Sequence, residues 1–153
     1  MRHSFLILLT FMSFIINGAT SCNKEDDTEK TKNNTSMVNG KIKIKVNSQI
    51  FTASLLDHNS AKAFKEMLPL TINMIELNGN EKYYDLRNSI PTNASNTGTI
   101  NNGDLMLYGS KTLVLFYKPF STSYSYTKLG MVDDTTGLAS VLGSGNVTIT
   151  FEE

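Results

Sequence analysis

From Lys41 onward the chain predicts a mainly β domain: a closed barrel of strands with short helices at its ends. Period-two alternation of apolar and polar residues recurs through most of this region. Only two short stretches carry helical spacing instead, and Asn, Gly and Pro punctuate the runs. Many strands with two short helices fit a single closed layer around one core better than a stack of sheets and helices.

The elements follow in order. Lys41 to Val46 alternates strictly, with Ile42, Ile44 and Val46 on one face and lysines on the other. Asn47-Ser48 turns the chain into a second run, Gln49 to Leu56, so a hairpin is expected. Asp57 to Asn59 supplies helix-capping side chains, and Ala61, Phe64 and Leu68 fall on one helical face before Pro69 stops it. Leu70, Ile72 and Met74 resume period two, and Asn78-Gly79-Asn80 is a turn of residues that tolerate positive φ. Arg87 to Asn102 is a long Asn-, Thr-, Ser-, Pro- and Gly-containing loop, a length that is uncommon in compact domains unless it is used. Asp104 to Tyr108 and Thr112 to Tyr117 read as strands joined through Gly109-Ser110. A second loop, Lys118 to Ser125, leads to a strand over Tyr126 to Val132. Asp134 is placed to cap a short helix ending at Leu142, with Gly143 as its stop. Asn146 to Glu152 closes the chain with Val147, Ile149 and Phe151 on one face.

Ahead of this domain lies a different kind of sequence. Arg2 and His3 precede Phe5 to Ile16, an apolar run of roughly 18 Å as a helix at about 1.5 Å per residue. A bilayer core is about 30 Å thick, so the run is a signal h-region and not a lasting span. Ala19-Thr20-Ser21-Cys22 resembles the lipobox of bacterial lipoproteins, with Ala where Leu is usual three places before the cysteine. Residues 1–21 are therefore expected to be a signal peptide, and Cys22, the sole cysteine, a lipid carrier. The alternatives are a free thiol behind an ordinary secretory signal, or an uncleaved anchor. Several acyl chains at roughly 0.8 kcal/mol per buried CH₂ would hold the protein on a membrane permanently. Residues 22–40 are polar and charged and read as a disordered tether. Its eighteen residues after the cysteine reach roughly 20–25 Å at about 5–6 Å × √n. Lys24-Glu25-Asp26-Asp27 resembles the acidic tags that send some lipoproteins to the cell surface, or else is plain linker. The expected location is the cell envelope, lipid-anchored to an outer membrane.

Composition excludes several function classes. Lys plus Arg and Asp plus Glu are equal at 14 each, so no basic field argues for nucleic acid. With one cysteine there is no disulfide. No His, Cys and carboxylate group has metal-ligand spacing, and no cofactor is called for. His58 reads as a helix-start residue and not a general base, and Asp133-Asp134 as a helix N-terminus and not an acid/base pair. Gly143-Ser144-Gly145 is too short for a phosphate loop, and no serine stands in a nucleophile elbow. One module, residues 41–153, without repeats or heptads, is expected to be monomeric.

Leu129-Gly130-Met131-Val132, the short helix to Leu142 and the closing Val147-Thr148-Ile149 strand resemble the C-terminal part of cyclophilins. A broader resemblance is to a bacterial cyclophilin-like family of uncertain function. It is carried by Thr52-Ala53-Ser54-Leu55, Ala61-Lys62-Ala63-Phe64, Leu68-Pro69-Leu70, Leu77 to Tyr84, Ile90-Pro91-Thr92-Asn93 and Gly103 to Gly109, then Ser123 to Thr127. This implies an eight-stranded cyclophilin-like barrel. It does not carry over prolyl isomerisation, because the Phe-His-Arg and Phe-Met-x-Gln-Gly-Gly-Asp motifs that hold the proline amide in cyclophilins are missing. Arg87, the only arginine past the signal, matches neither motif and is the one guanidinium available as a catalytic or ligand-contacting candidate.

The remaining candidates are aromatic. Tyr108, Phe116, Tyr117, Phe120, Tyr124 and Tyr126, near the Ser121-Thr122-Ser123 loop, either pack the barrel and its rim or line a groove. In the second case Asn88 to Asn102 would form part of the wall. Three functions are therefore expected in order of preference. The first is a tethered module binding a peptide segment or small molecule; the second is a prolyl isomerase with an atypical site; the third is a structural or assembly lipoprotein that docks a partner through a strand edge or apolar patch.

Overall fold

The computed structural model of the protein describes residues 37–153. The expected signal, Cys22 and the expected tether up to residue 36 lie outside the described residues. The first elements are β1 (Met37–Val46), β2 (Gln49–Leu56), α1 (Asn59–Lys65), β3 (Leu70–Leu77), β4 (Glu81–Asp85) and β5 (Thr99–Ile100). They continue with β6 (Asp104–Tyr108), β7 (Thr112–Phe116), β8 (Phe120–Ser121), β9 (Tyr126–Val132), α2 (Leu138–Leu142) and β10 (Val147–Glu152). Eight strands form one closed antiparallel barrel in the order β1-β10-β3-β4-β7-β6-β9-β2, and β5 pairs with β8 in a separate two-stranded sheet. The fold is the mainly β closed barrel with two short helices that the alternation predicts.

The turns follow from their residues. Val46 pairs with Gln49, leaving Asn47-Ser48 as a two-residue connection, and Asn47 takes φ 52°. Asn78 and Gly79 lie at φ 56° and 71°, the region Asn and Gly enter at least cost. β1 begins at Met37, four residues before the strict alternation at Lys41, and its register with β2 shifts between Met37 and Lys41. The barrel interior takes Ile42, Ile44 and Val46 from β1, Leu105 and Leu107 from β6, and Leu113 and Leu115 from β7. Gly130 lets β9 approach β2 closely: a Cβ there would run into the carbonyl oxygen of Ser54.

Different caps close the two ends. At one, α1 drops Phe64 onto Phe151 edge-to-face, with ring centroids 5.6 Å apart. The ring of His58 is the N-cap: Nδ1 accepts from the Ala61 N–H at 3.3 Å, and Nε2, which then carries the hydrogen, lies 2.8 Å from the Lys128 carbonyl. The helix ends at Lys65 and not Leu68, because the N–H groups of Met67 and Leu68 bond back three residues, to Phe64 and Lys65. At the other end α2 inserts Leu138 and Leu142 into the core and stops at Gly143, φ 63°.

Asp133 and Asp134 do not cap α2, which starts behind Gly137 with no side-chain cap. Asp134 accepts from the Thr136 N–H within its own turn at 2.9 Å. Asp133 instead accepts from the Ser54 hydroxyl at 2.6 Å and pairs with Lys41 at 3.0 Å, fastening the end of β9 to β2 and β1.

The two long loops are partners. β5 lies within the first and β8 within the second, with Thr99 opposite Ser121 and Ile100 opposite Phe120. Ser95 and Tyr126 exchange backbone hydrogen bonds at 3.0 and 3.1 Å, and the Thr127 hydroxyl accepts from the Asn93 N–H at 2.9 Å. The loops therefore lie as a ledge against the outer face of β9, β6 and β7.

Candidate functional site

Strand alternation gives the barrel wall two faces. Leu105, Leu107, Leu113 and Leu115 point in; their neighbours Met106, Val114, Phe116 and Tyr126 form a second apolar cluster outside. Ile100 from the first loop and Phe120 from the second cover it. Beside this cluster lies a groove of about 440 Å³. Its floor is Glu81, Tyr83 and Asp85 of β4 with Thr112 and Val114 of β7, and these are register partners: Tyr83 faces Val114 and Asp85 faces Thr112. Tyr108 and Tyr126 continue the floor, Leu77 and Asn78 form one wall, and Phe120 and Tyr124 the other.

The rings form one connected series. Phe120 lies 5.5 Å from Phe116, Phe116 5.6 Å from Tyr126, Tyr126 5.5 Å from Tyr108, and Tyr108 6.0 Å from Tyr124. Phe116 is fully buried at the base of this series, whereas Tyr108 and Tyr124 stand 46% and 61% exposed at the rim. Of the aromatic candidates, Tyr108, Phe120, Tyr124 and Tyr126 thus line the groove, Phe116 supports it from beneath, and Tyr117 turns to the other face, where its hydroxyl meets Glu76.

Arg87 is not brought to the site. The Leu86 side chain is drawn into the core and its N–H bonds the Lys111 carbonyl at 2.8 Å, which leaves Arg87 exposed just past β4 and outside the groove. Residues 88–102 supply no lining residue either; through Ile100 and the β5–β8 pairing they buttress Phe120. The residues that the aromatic reading misses are Glu81, Tyr83 and Asp85. Their signal is present, since Glu81-Lys-Tyr-Tyr-Asp85 alternates and puts those three on one face.

The charges sort by face. Lys82, fully buried, turns inward at the end of the barrel nearest α2. It is ion-paired to Glu76, its register partner on β3, and donates to the carbonyls of Gly143 at 2.9 Å and Gly145 at 2.6 Å. The Tyr117 hydroxyl donates to Glu76 at 2.7 Å. Burial would raise the Glu76 carboxyl, but hydrogen bonds from Lys82 and Tyr117 outweigh it and hold it below the ordinary glutamate range. Tyr117 is pushed up to about 12 by burial and by that hydrogen bond. A cavity of about 500 Å³ opens above this cluster, but the charged groups beneath it already satisfy one another.

Glu81 is the opposite case. It is 8% exposed and lines the groove, and its carboxyl has no hydrogen-bond or ion-pair partner among the described residues. Burial, and then the charge of Glu76, push it above the ordinary range. Tyr126 beside it is pushed up to about 12, first by burial and then by the Glu81 charge. Asp85 by contrast accepts from the Thr112 hydroxyl at 2.6 Å. Among the described residues no three His, Cys, Asp or Glu side chains converge where they could share a metal ion.

A family model described as the cyclophilin-like family matches residues 44–152, nearly the whole described domain. The chain belongs to the cyclophilin-like family. The solution structure of a hypothetical protein from Archaeoglobus fulgidus is similar to this cyclophilin-like barrel, with a TM-score of 0.53 at 15% identity. The alignment covers 78% of this chain and 98% of that one, a likeness of fold. No curated protein matches the chain.

The Glu76–Lys82 pair yields a prediction. Lys82→Met removes the cation from a partly buried carboxylate that keeps the Tyr117 and Gly79 donors, and should lower stability by about 1–3 kcal/mol at neutral pH, read by urea unfolding. Glu76 has a depressed folded-state pKa, so its contribution is complete above its unfolded pKa and is lost as pH falls through the lower folded value. The wild-type chain should lose that increment only in acid, and Lys82→Met should already lack it. Equal stability of the two chains at pH 7 would contradict the assignment.

Proposed function

We propose that this cyclophilin-like domain is a binding module, held at the cell envelope by lipid on Cys22, whose outer aromatic groove takes an extended peptide segment or a small molecule. The observation that carries the reading is the groove itself. Its volume lies in the range of small-ligand sites, which run from roughly 300 to 1,000 Å³. It is walled by rings that offer apolar area with hydroxyl tips, and it rests on a floor of paired strands. The groove offers hydroxyl, amide and carboxylate groups but no guanidinium, which supports recruitment over turnover. Docking through a strand edge has less support, since each of the eight barrel strands is paired on both sides. The tether and the acidic run after Cys22 fit a domain held clear of an outer-membrane surface and acting as a monomer. A Cys22→Ser chain should accordingly leave the membrane fraction; continued membrane retention would remove the lipid from the account.

The groove is tested by NMR with a panel of Xaa-Pro and apolar peptides. Saturable shifts centred on Tyr83, Tyr108 and Tyr124 are expected, and Tyr124→Ala should weaken binding about tenfold while changing stability little, because the side chain is mostly exposed. Accelerated cis/trans exchange of the Xaa-Pro bond would instead establish the isomerase reading. Shifts confined to residues outside the groove would contradict the module as described.

A further inference from the structure

The charge in the groove is one-sided. Its formally charged lining groups are Glu81 and Asp85, and no lysine or arginine joins them. Asp85 is partly satisfied by the Thr112 hydroxyl, but Glu81, nine-tenths buried and aimed into the cavity, has no partner among the described residues. The neighbouring lysine cannot serve: Lys82 lies on the other face of β4 and is committed to Glu76 and two backbone carbonyls. The rest of the side chain is buried, but the carboxyl oxygens are not among the fully enclosed ones and meet the groove, where burial and the Glu76 charge hold the group above the ordinary range. Such a group is satisfied when something arrives carrying the missing positive charge.

The surroundings of Glu81 select what arrives. Tyr83, Tyr126, Tyr108 and Tyr124 line the same groove, and an aromatic face attracts a cation through its ring quadrupole. An anionic ligand would meet two carboxylates and no cation. A wholly apolar one would leave the Glu81 charge buried and unpaired, at a penalty. We infer that the groove recognises an alkylammonium group, with Glu81 as its counter-charge and the tyrosine rings as its walls. This deepens the binding-module reading and rests on it.

The test uses the full chain in a non-ionic detergent, since a choline head group would compete. The probes are n-butylammonium and N-acetyl-lysine methylamide, each set against its neutral counterpart, n-butanol and N-acetyl-norleucine methylamide, and followed by NMR at Tyr83 and Tyr124. Each cation should bind at least tenfold more tightly than its neutral counterpart. Glu81→Gln should abolish that preference while keeping the dispersion of a folded domain and the weak binding of the neutral probes. A preference for the lysine probe would put the ammonium on a peptide, and equal binding would put it on a small amine; either supports the inference. Neutral probes that bind the groove as tightly as the cations overturn it and leave the groove reading standing, as does a Glu81→Gln chain that keeps the preference. No shift in the groove with any probe overturns both.

Discussion

Closing eight strands into a ring forces every side chain on the wall to point into the barrel or away from it. Everything proposed for this protein depends on that division. The inward set of β6 and β7 fills the core with Leu105, Leu107, Leu113 and Leu115, and this leaves the alternate residues to build an outer surface. On most of the wall the outward residues are polar and meet water. On β4, β7, β6 and β9 many are aromatic or apolar, with Glu81 and Asp85 on β4 and a Lys128–Asp104 pair between β9 and β6, and two long loops fold back to shelter part of them. The groove lies between the sheltered and unsheltered parts. It is fixed in place by strand pairing below and by the β5–β8 ledge at its side.

The same division separates two neighbouring charges. Glu81 and Lys82 are adjacent in the chain, yet one faces the groove and the other the inside of the barrel end. Lys82 is matched there by Glu76, Tyr117 and two carbonyls, a cluster that joins β3 and β4 to the connection after α2. Full satisfaction of that cluster is what leaves Glu81 alone on the other face. A fold selected only for stability would have little reason to keep a partnerless carboxylate among tyrosine rings. At a site for a cationic group it has a use.

Much of this architecture was legible in the sequence. The alternation of Lys41 to Val46 and of Val147 to Phe151 placed strands with the correct inner faces, and the Asn47-Ser48 turn and the Gly143 stop stand where their chemistry put them. The tyrosines and phenylalanines near the C-terminal half stood out, and four of them line the groove. Three features were not legible. The pairing of residues 99–100 with 120–121 joins segments twenty residues apart and too short to alternate, so local pattern carries no trace of it. The alternation of Glu81 to Asp85 shows that these three residues share a face, but not that this face borders the groove, because that depends on β7, which is distant in the chain. The roles of Asp133 and Asp134 were misplaced because capping chemistry is the same in a turn as at a helix start; only the tertiary position of Ser54 and Lys41 tells them apart. Arg87 drew attention as the only arginine after Arg2, and its position beyond the strand end removes it from the groove.

The most direct test of this account is a ¹³C NMR pH titration of the Glu81 side-chain carboxyl in the folded protein. A buried carboxylate with no partner, facing the groove and repelled by Glu76, should titrate above the ordinary glutamate range, and a bound alkylammonium should pull it back down. A midpoint at or below the ordinary range in the free protein would mean that the Glu81 charge is already satisfied, by a partner or by water, and the central claim would fail.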